Sequence, residues 1–447
     1  MELLISDMGI TDVLLTLLYL LFAYGLALGV VNRNKDRIHQ LYYLKGFNYK
    51  IIATLFFASI YVFYYAGGDS LAFYGTIKSI YNIFFNDPSQ VFSFIYNPYE
   101  NYPSPARVEA GSYGVQYLTR GYASLMVIRI GFLLDLISFN SYWALCIVFA
   151  VISYYFTWKF FLLLCEIYPN MHKEFALAVL YIPSVLFWGS GLAKDTIMTG
   201  SIFFFFYCSY RLLINRRRPL YYFFLLVVTG YIIFIIRSFI LLTIVPCIIL
   251  MITVHYRTSI RNSILRFLIT PFLIVGGLAG SYYAIVEIGS SESSYNLEAL
   301  EYKATGFRTW HTTQGGSTYS LGGDPDDVSL PNLLKQTPLA LVYSLFGPFI
   351  WQVRNPVMLL SALESMALLY FTLGILLRTK LWRIYEIIIS EPLIAYALPF
   401  CIVLAIAIGL TSFNFGALVR YRIPILPFYV IMLVLMRYRL GYGNANR

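Results

Sequence analysis

Charge is scarce in this chain: 12% of its 447 residues are Asp, Glu, Lys or Arg, about half the share of an ordinary soluble domain. With 59% hydrophobic residues, that balance excludes a water-soluble globular fold. Cysteine is thin as well. The five residues Cys146, Cys165, Cys208, Cys247 and Cys401 lie within or at the end of apolar runs without Cys-x-x-Cys spacing, so neither a disulfide framework nor a zinc site is suggested. There is no His-Glu-x-x-His, no Gly-x-Ser-x-Gly elbow and no Gly-Lys-Ser/Thr phosphate loop, and zincin, serine hydrolase and nucleotide hydrolase chemistry lack their basic parts. No basic stretch precedes the first apolar run, where Glu2, Asp7 and Asp12 sit instead, so that run is expected to be retained rather than cleaved as a signal peptide. Short internal repeats and the inverted duplication of many secondary transporters are also missing.

What the chain has in abundance is apolar length. Runs of about 20 residues recur throughout, each able to cross a bilayer with its backbone hydrogen bonds closed internally, and the mean hydropathy is +0.69. The expected fold is an all-α, polytopic transmembrane helical bundle of about eleven spans, forming one integral membrane domain over 1–447. The net charge of +10 does not point to nucleic acid, because the Lys and Arg residues punctuate apolar segments instead of forming one basic face. Positive-inside bias accounts for them.

Taken in order, span one (13–31) leads to the basic stretch Arg33, Lys35, Arg37, Lys45 and Lys50, which is expected in the cytoplasm and puts the N-terminus outside. Span two (51–65) delivers the chain to Ala66-Gly67-Gly68-Asp69 on the outer face. A first large extracytoplasmic loop (67–140) follows, with two half-apolar pieces, 71–85 and 123–137, expected as interfacial helices because Arg129 and Asp135 make the second a costly span. Spans three (143–164), four (175–188) and five (196–214) end on Arg216-Arg217-Arg218, the strongest cytoplasmic marker. The run 221–255 is too long for one span and is expected to form a hairpin, spans six and seven, with Arg237 at its outer tip. Span eight (267–288) opens a second extracytoplasmic loop (289–355) rich in Ser, Gly and Asp, closed by a short re-entrant or interfacial piece at 338–351. Spans nine to eleven (356–377, 394–411, 424–436) complete the chain.

This topology gathers the notable polar groups on one face. Asp69, beside Tyr74, is placed where a membrane helix meets water, and a carboxylate there suits the general-base role on an acceptor hydroxyl; a Gly-Gly-Asp turn that merely ends a helix is the plainer reading. Lys194-Asp195 reads as a helix start in which Asp favours the dipole, or as a second acidic group that orients an acceptor or a divalent metal, with Lys194 facing phosphate. Arg237 reads as a snorkelling side chain or as a fixed cation for a lipid-linked phosphate. Arg354 falls on the same face as a candidate substrate contact, and Arg420 and Arg422 in Asn414-Phe415-Gly416-Ala417-Leu418-Val419-Arg420-Tyr421-Arg422-Ile423-Pro424 oppose the positive-inside preference, where Arg can hold phosphate oxygens bidentately. His311, alone in the second loop, makes no zinc site, and is either solvated or a substrate contact.

The span followed by Gly67-Gly68-Asp69 and Tyr74, the two interfacial pieces, the external Lys194-Asp195 turn and the large later loop together resemble the GT-C superfamily of integral membrane glycosyltransferases over 50–355. Arg420-Tyr421-Arg422-Ile423-Pro424 is similar to the Arg-Tyr-x-x-Pro elements of its bacterial members. The resemblance implies transfer of a sugar from a polyprenyl-phosphate carrier to a hydroxyl of a glycan, lipid or protein at the outer face of a bacterial cytoplasmic membrane. Asp69 would be the base, Asp195 the acceptor-orienting or metal-binding carboxylate, and Arg237, Arg420 and Arg422 the phosphate-holding cations. A polysaccharide polymerase or O-antigen ligase acting on lipid-linked oligosaccharide is the alternative, and a transporter or flippase of lipid-linked glycan the non-enzyme one.

Overall fold

A computed structural model describes residues 9–89, 91, 121–257, 317–322, 330–354 and 356–441. The described residues are helical throughout apart from short turns and a single bridge between Thr318 and Asn414. Seven of the helices are long and apolar enough to cross a membrane, eight if one bent pair is counted as a span. The chain is thus a multi-pass membrane protein, built as two compact units, Met1–Ser238 and Phe239–Arg447.

In the first unit the helices are α1 (Ile10–Arg33), α2 (His39–Tyr64), α3 (Asp69–Asn86), α4 (Tyr122–Ser138), α5 (Tyr142–Ile167), α6 (His172–Leu180), α7 (Pro183–Trp188) and α8 (Lys194–Leu213). The hub is α5, which packs on α1, α2, α4, α6 and α8. It can take that place because it is apolar on every side, the pattern of a helix enclosed by others, with Ala144, Leu145, Phe149, Ala150, Phe160, Phe161 and Leu164 all buried. By contrast α1 buries only Ala23, Ala27 and Val31, a stripe at four-residue spacing whose small side chains let its backbone approach a neighbour. Its opposite side, with Leu14, Leu17, Leu21 and Phe22 exposed, suits lipid tails. Between α2 and α5 an aromatic layer forms, in which Tyr43 meets Trp158 edge-on at 4.8 Å and Phe47 meets Tyr154 at 5.4 Å. The Tyr154 hydroxyl, which must find an acceptor when buried, donates to the Tyr43 carbonyl at 2.6 Å.

The long helix α9 (Pro219–Arg257) is broken at Arg237, whose φ of −152° and ψ of 82° are extended. At 1.5 Å per residue a straight helix of this length would run to nearly twice the ~30 Å of a hydrocarbon core. The break leaves two pieces, each about as long as one crossing needs, and the boundary between the two units follows it directly.

The second unit contains the remainder of α9, then α10 (Leu330–Phe346), α11 (Pro356–Arg378), α12 (Leu381–Ser390), α13 (Pro392–Ser412), α14 (Phe415–Tyr421) and α15 (Ile425–Arg439). Here α13 is the hub, packed on α10, α12, α14 and α15. Gly409 permits the closest approach, since a Cβ there would stand 2.7 Å from Ser344 Oγ and still closer to the Ala340 carbonyl.

Several expectations need correction in detail. The span expected at 175–188 is split into α6 and α7, because Pro183 cannot continue α6 and sits instead in the first turn of the next helix. Lys45 and Lys50 do not belong to a cytoplasmic loop: α2 already runs from His39, and both lie inside it. The piece expected at 338–351 is the longer α10, which carries Pro338 within it. The span expected at 424–436 is present as α15, and the shorter α14 before it is bent from it by 66°. The helices expected at 71–85 and 123–137 are present as α3 and α4, and neither meets the length and apolarity of a membrane span. The expected span eight and most of the second loop lie outside the described residues.

Candidate functional site

Three helices of the first unit start close together, and the turns that launch them explain how. To leave α2 and enter α3 the chain uses two left-handed positions, Ala66 (φ 45°) and Gly68 (φ 86°), which only glycine adopts without strain. Asp69 is then the first residue of α3. The turn Gly189-Ser190-Gly191-Leu192-Ala193 before α8 is clamped from three sides. A Cβ at Gly189 would lie 2.5 Å from the Val185 carbonyl, and one at Gly191 (φ 72°) would lie 2.5 Å from the Phe57 ring. From α2, the fully enclosed Lys50 ammonium donates to the Gly189 carbonyl and, at 3.2 Å, to Ser153 Oγ. Leu192 and Ala193 are buried in the same apolar cluster as Leu71, Phe73 and Tyr74 of α3.

On that foundation Lys194 Nζ donates to Ser124 Oγ in the first turn of α4 at 2.8 Å and lies 5.7 Å from the centre of the Phe73 ring. Phe73 is one turn beyond Asp69 on the same side of α3, so the starts of α3, α4 and α8 meet around Lys194. Their N-cap residues are Gly68, Gly121 and Ala193, none with a capping side chain. Convergent helix starts of this kind present backbone N–H groups and the positive ends of helix dipoles. The next residue, Asp195, is 1% exposed and accepts from Arg237 Nη2 at 2.8 Å. The extended backbone at Arg237 breaks α9 at the residue that reaches Asp195. Beside the pair, Thr196 Oγ1 and Thr199 Oγ1 are buried without a hydrogen-bond partner among the described residues.

A second polar cluster lies where α4 turns into α5. Asp135 is fully buried; it accepts from Ser138 Oγ at 2.9 Å, and its other oxygen has no partner among the described residues. Burial pushes this carboxyl up to about 7, against the pull of Ser138 and the Asn140 N–H, with Asp12 adding to the rise. Ser141 donates to Asp12, which ties α1 to the same turn. The Tyr74 hydroxyl, expected to meet substrate, instead donates to the Asn140 carbonyl at 2.6 Å. One turn earlier on α3, Ser70 and the Tyr142 hydroxyl are 2.9 Å apart.

The first unit therefore holds Asp69, Tyr74, Lys194, Asp195 and Arg237, and Arg354, Arg420 and Arg422 belong to the second. Arg422 is completely buried at the bend between α14 and α15; it donates to the Gly347 carbonyl and has Glu364 Oε1 at 3.7 Å. Its Nε and Nη2 have no hydrogen-bond partner among the described residues. Arg420, in the last turn of α14, is half-buried, and Arg354 is exposed. Nearby, Tyr319 donates to the Gly409 carbonyl at 3.1 Å and stacks within an aromatic group of Tyr343, Phe413 and Phe415. His311 lies outside the described residues. Among those residues no group of three or more His, Cys, Asp or Glu side chains is placed to hold a metal ion.

Sequence reasoning did not find Ser124 or Lys50. A serine in the first turn of a half-apolar helix carries no sequence signal. Lys50 carried one that pointed elsewhere, because it sits next to other basic residues. No protein-family model matches the chain, and comparison with curated proteins and with solved structures gives no match.

Proposed function

We propose that the chain is a membrane-embedded glycosyltransferase that takes a sugar from a polyprenyl-phosphate-linked donor and joins it to an acceptor hydroxyl. One observation carries this reading: the starts of α3, α4 and α8 meet at Lys194, which lies against Phe73, itself one helical turn beyond Asp69, beside helices apolar enough to sit in a bilayer. A phosphate attached to a lipid tail needs such a place, with cationic and N–H donors at the edge of an apolar body. In the proposed reaction the acceptor oxygen attacks the anomeric carbon, and the bond from that carbon to the phosphate oxygen breaks. The acceptor proton passes to Asp69, the first residue of α3. Lys194 and the helix starts stabilise the charge growing on the departing phosphate. Arg237 is held by Asp195, which in this reading sets the guanidinium and, through it, the acceptor. Block polymerisation or ligation would use the same chemistry on longer lipid-linked oligosaccharides.

A carrier of lipid-linked glycan is the second reading, favoured by charges inside the apolar helices: Lys50 in α2, and Glu364 in α11 facing Arg422. Purified protein reconstituted with polyprenyl-phosphate-linked sugars and candidate acceptors separates the two. New glycosidic product formed by the protein alone supports transfer. Movement of intact donor between leaflets without product supports the carrier.

A further inference from the structure

The ten residues of α12 join the end of α11 to the start of α13, and both of those helices are long and apolar enough to span a membrane. A short helix in that position has to lie at a membrane surface, whichever surface it is. Its side chains divide into three flanks at 100° per residue. Ile387 is buried, and Ile384 and Ile388 half-buried, on the flank packed against α13 and α15. Arg383, Glu386 and Ser390 form an exposed polar flank. On the remaining flank Leu381 is 75% exposed, Trp382 70% and Tyr385 51%. A surface helix of a protein in water would not leave such residues uncovered, and Trp with Tyr is the pairing found at the headgroup level of bilayers.

The exposed charge around this flank is mostly positive. Arg378 ends α11, Lys380 precedes α12 and Arg383 lies on it; all three are exposed. The last turn of α15 adds Arg437, also exposed, and Arg439. Arg439 Nε donates to Glu391 at 2.7 Å, which fixes the last turn of α15 at the end of α12 and neutralises the buried acid there. Among the described residues of α12, Glu386 is the acid that stands beside the exposed Lys380 and Arg383.

We propose that this basic and aromatic collar is a binding site for anionic phospholipid. Arg378, Lys380, Arg383 and Arg437 take the headgroup phosphates, while Leu381, Trp382 and Tyr385 lie among the first acyl carbons. The partner is the membrane's own anionic lipid, since the apolar flank and the cations share one surface helix. Each basic side chain at such a surface is worth up to about a fivefold preference for anionic lipid.

The test is tryptophan quenching in full-length protein held in lipid nanodiscs, read as the difference between wild type and Trp382→Phe, because the chain has six tryptophans. The Trp382 component is expected to be quenched at least twofold more by brominated phosphatidylglycerol than by the same fraction of brominated phosphatidylcholine. Added salt should erase that preference, as should Lys380→Gln with Arg383→Gln. Should the double variant fail to fold, the salt dependence of the wild type still decides. No quenching of the Trp382 component by either lipid, or equal quenching by both, overturns the proposal.

Discussion

Arg237 and Asp195 form a closed ion pair in the first unit, 2.8 Å from Nη2 to Oδ1, with the acid 1% and the guanidinium side chain 13% exposed. The pair joins the break in α9 to the second residue of α8, which follows Lys194 directly. A buried charge left without its partner is costly, about 3–5 kcal/mol, whereas loss of both charges leaves nothing to solvate. Asp195→Ala and Arg237→Met are each expected to lower the thermal midpoint in detergent. The double variant should be destabilised by less than the sum of the two, with a coupling of roughly 1–3 kcal/mol. Strict additivity would mean that the pair does not hold α9 to α8.

Helix spacing in the second unit gives a contrast between two glycines. Alanine at Gly409 would place a Cβ 2.7 Å from Ser344 Oγ on α10, with backbone nearer still, whereas Gly374 in α11 has open space around its Cβ position. Gly409→Ala is expected to destabilise by about 1–3 kcal/mol through overpacking. Gly374→Ala should be neutral or stabilising by up to about 1 kcal/mol through helix propensity. Thermal unfolding of the two purified variants is the check, and equal behaviour would contradict the close packing of α10 on α13.

A pH effect follows from Asp135, whose carboxyl burial pushes up to about 7. It faces Ser138 and the Asn140 N–H, with Asp12 as the nearby acid and the hydroxyls of Tyr19, Tyr74 and Tyr81 also within its field. Below pH ~4 the group is protonated in both folded and unfolded chains and has no effect on the difference. Between pH ~4 and ~7 the unfolded chain gives up the proton while the folded one keeps it, so stability falls as pH rises, by at most roughly 1.4 kcal/mol per unit. Thermal midpoints at about pH 5 and pH 8 should therefore differ in the wild type and differ much less in Asp135→Asn. A wild type that gains stability over this range relative to Asp135→Asn would contradict the burial of that carboxyl.

Much of the helical framework is legible in the amino-acid order. The Gly67-Gly68-Asp69 turn precedes α3, the half-apolar piece at 123–137 marks α4, and apolar length marks α1, α5, α8, α11 and α13 to within a few residues. The polar contacts are a different matter. Lys50 reads as one more basic residue of a cytoplasmic stretch, because its acceptors, the Gly189 carbonyl and Ser153, are over a hundred residues away in the chain. Tyr74 reads as a site residue, and only the fold reveals that its hydroxyl fastens α3 to the turn at Asn140. Arg422 reads as an external phosphate contact, whereas it turns inward to Gly347 and Glu364. Apolar length locates most helices, whereas charge patterning misplaces the start of α2 and says nothing of which carbonyl or acid a side chain reaches across the bundle.

The central claim is that Asp69 is the base in sugar transfer from a lipid phosphate, and replacing its carboxylate by an amide tests it most directly. Asp69→Asn keeps the size and the helix start but cannot accept the proton. With wild-type and variant protein reconstituted at equal amounts, the variant is expected to lose most of the initial rate of transfer, about 10²-fold or more, with donor binding retained. Equal rates for the two proteins would contradict the account.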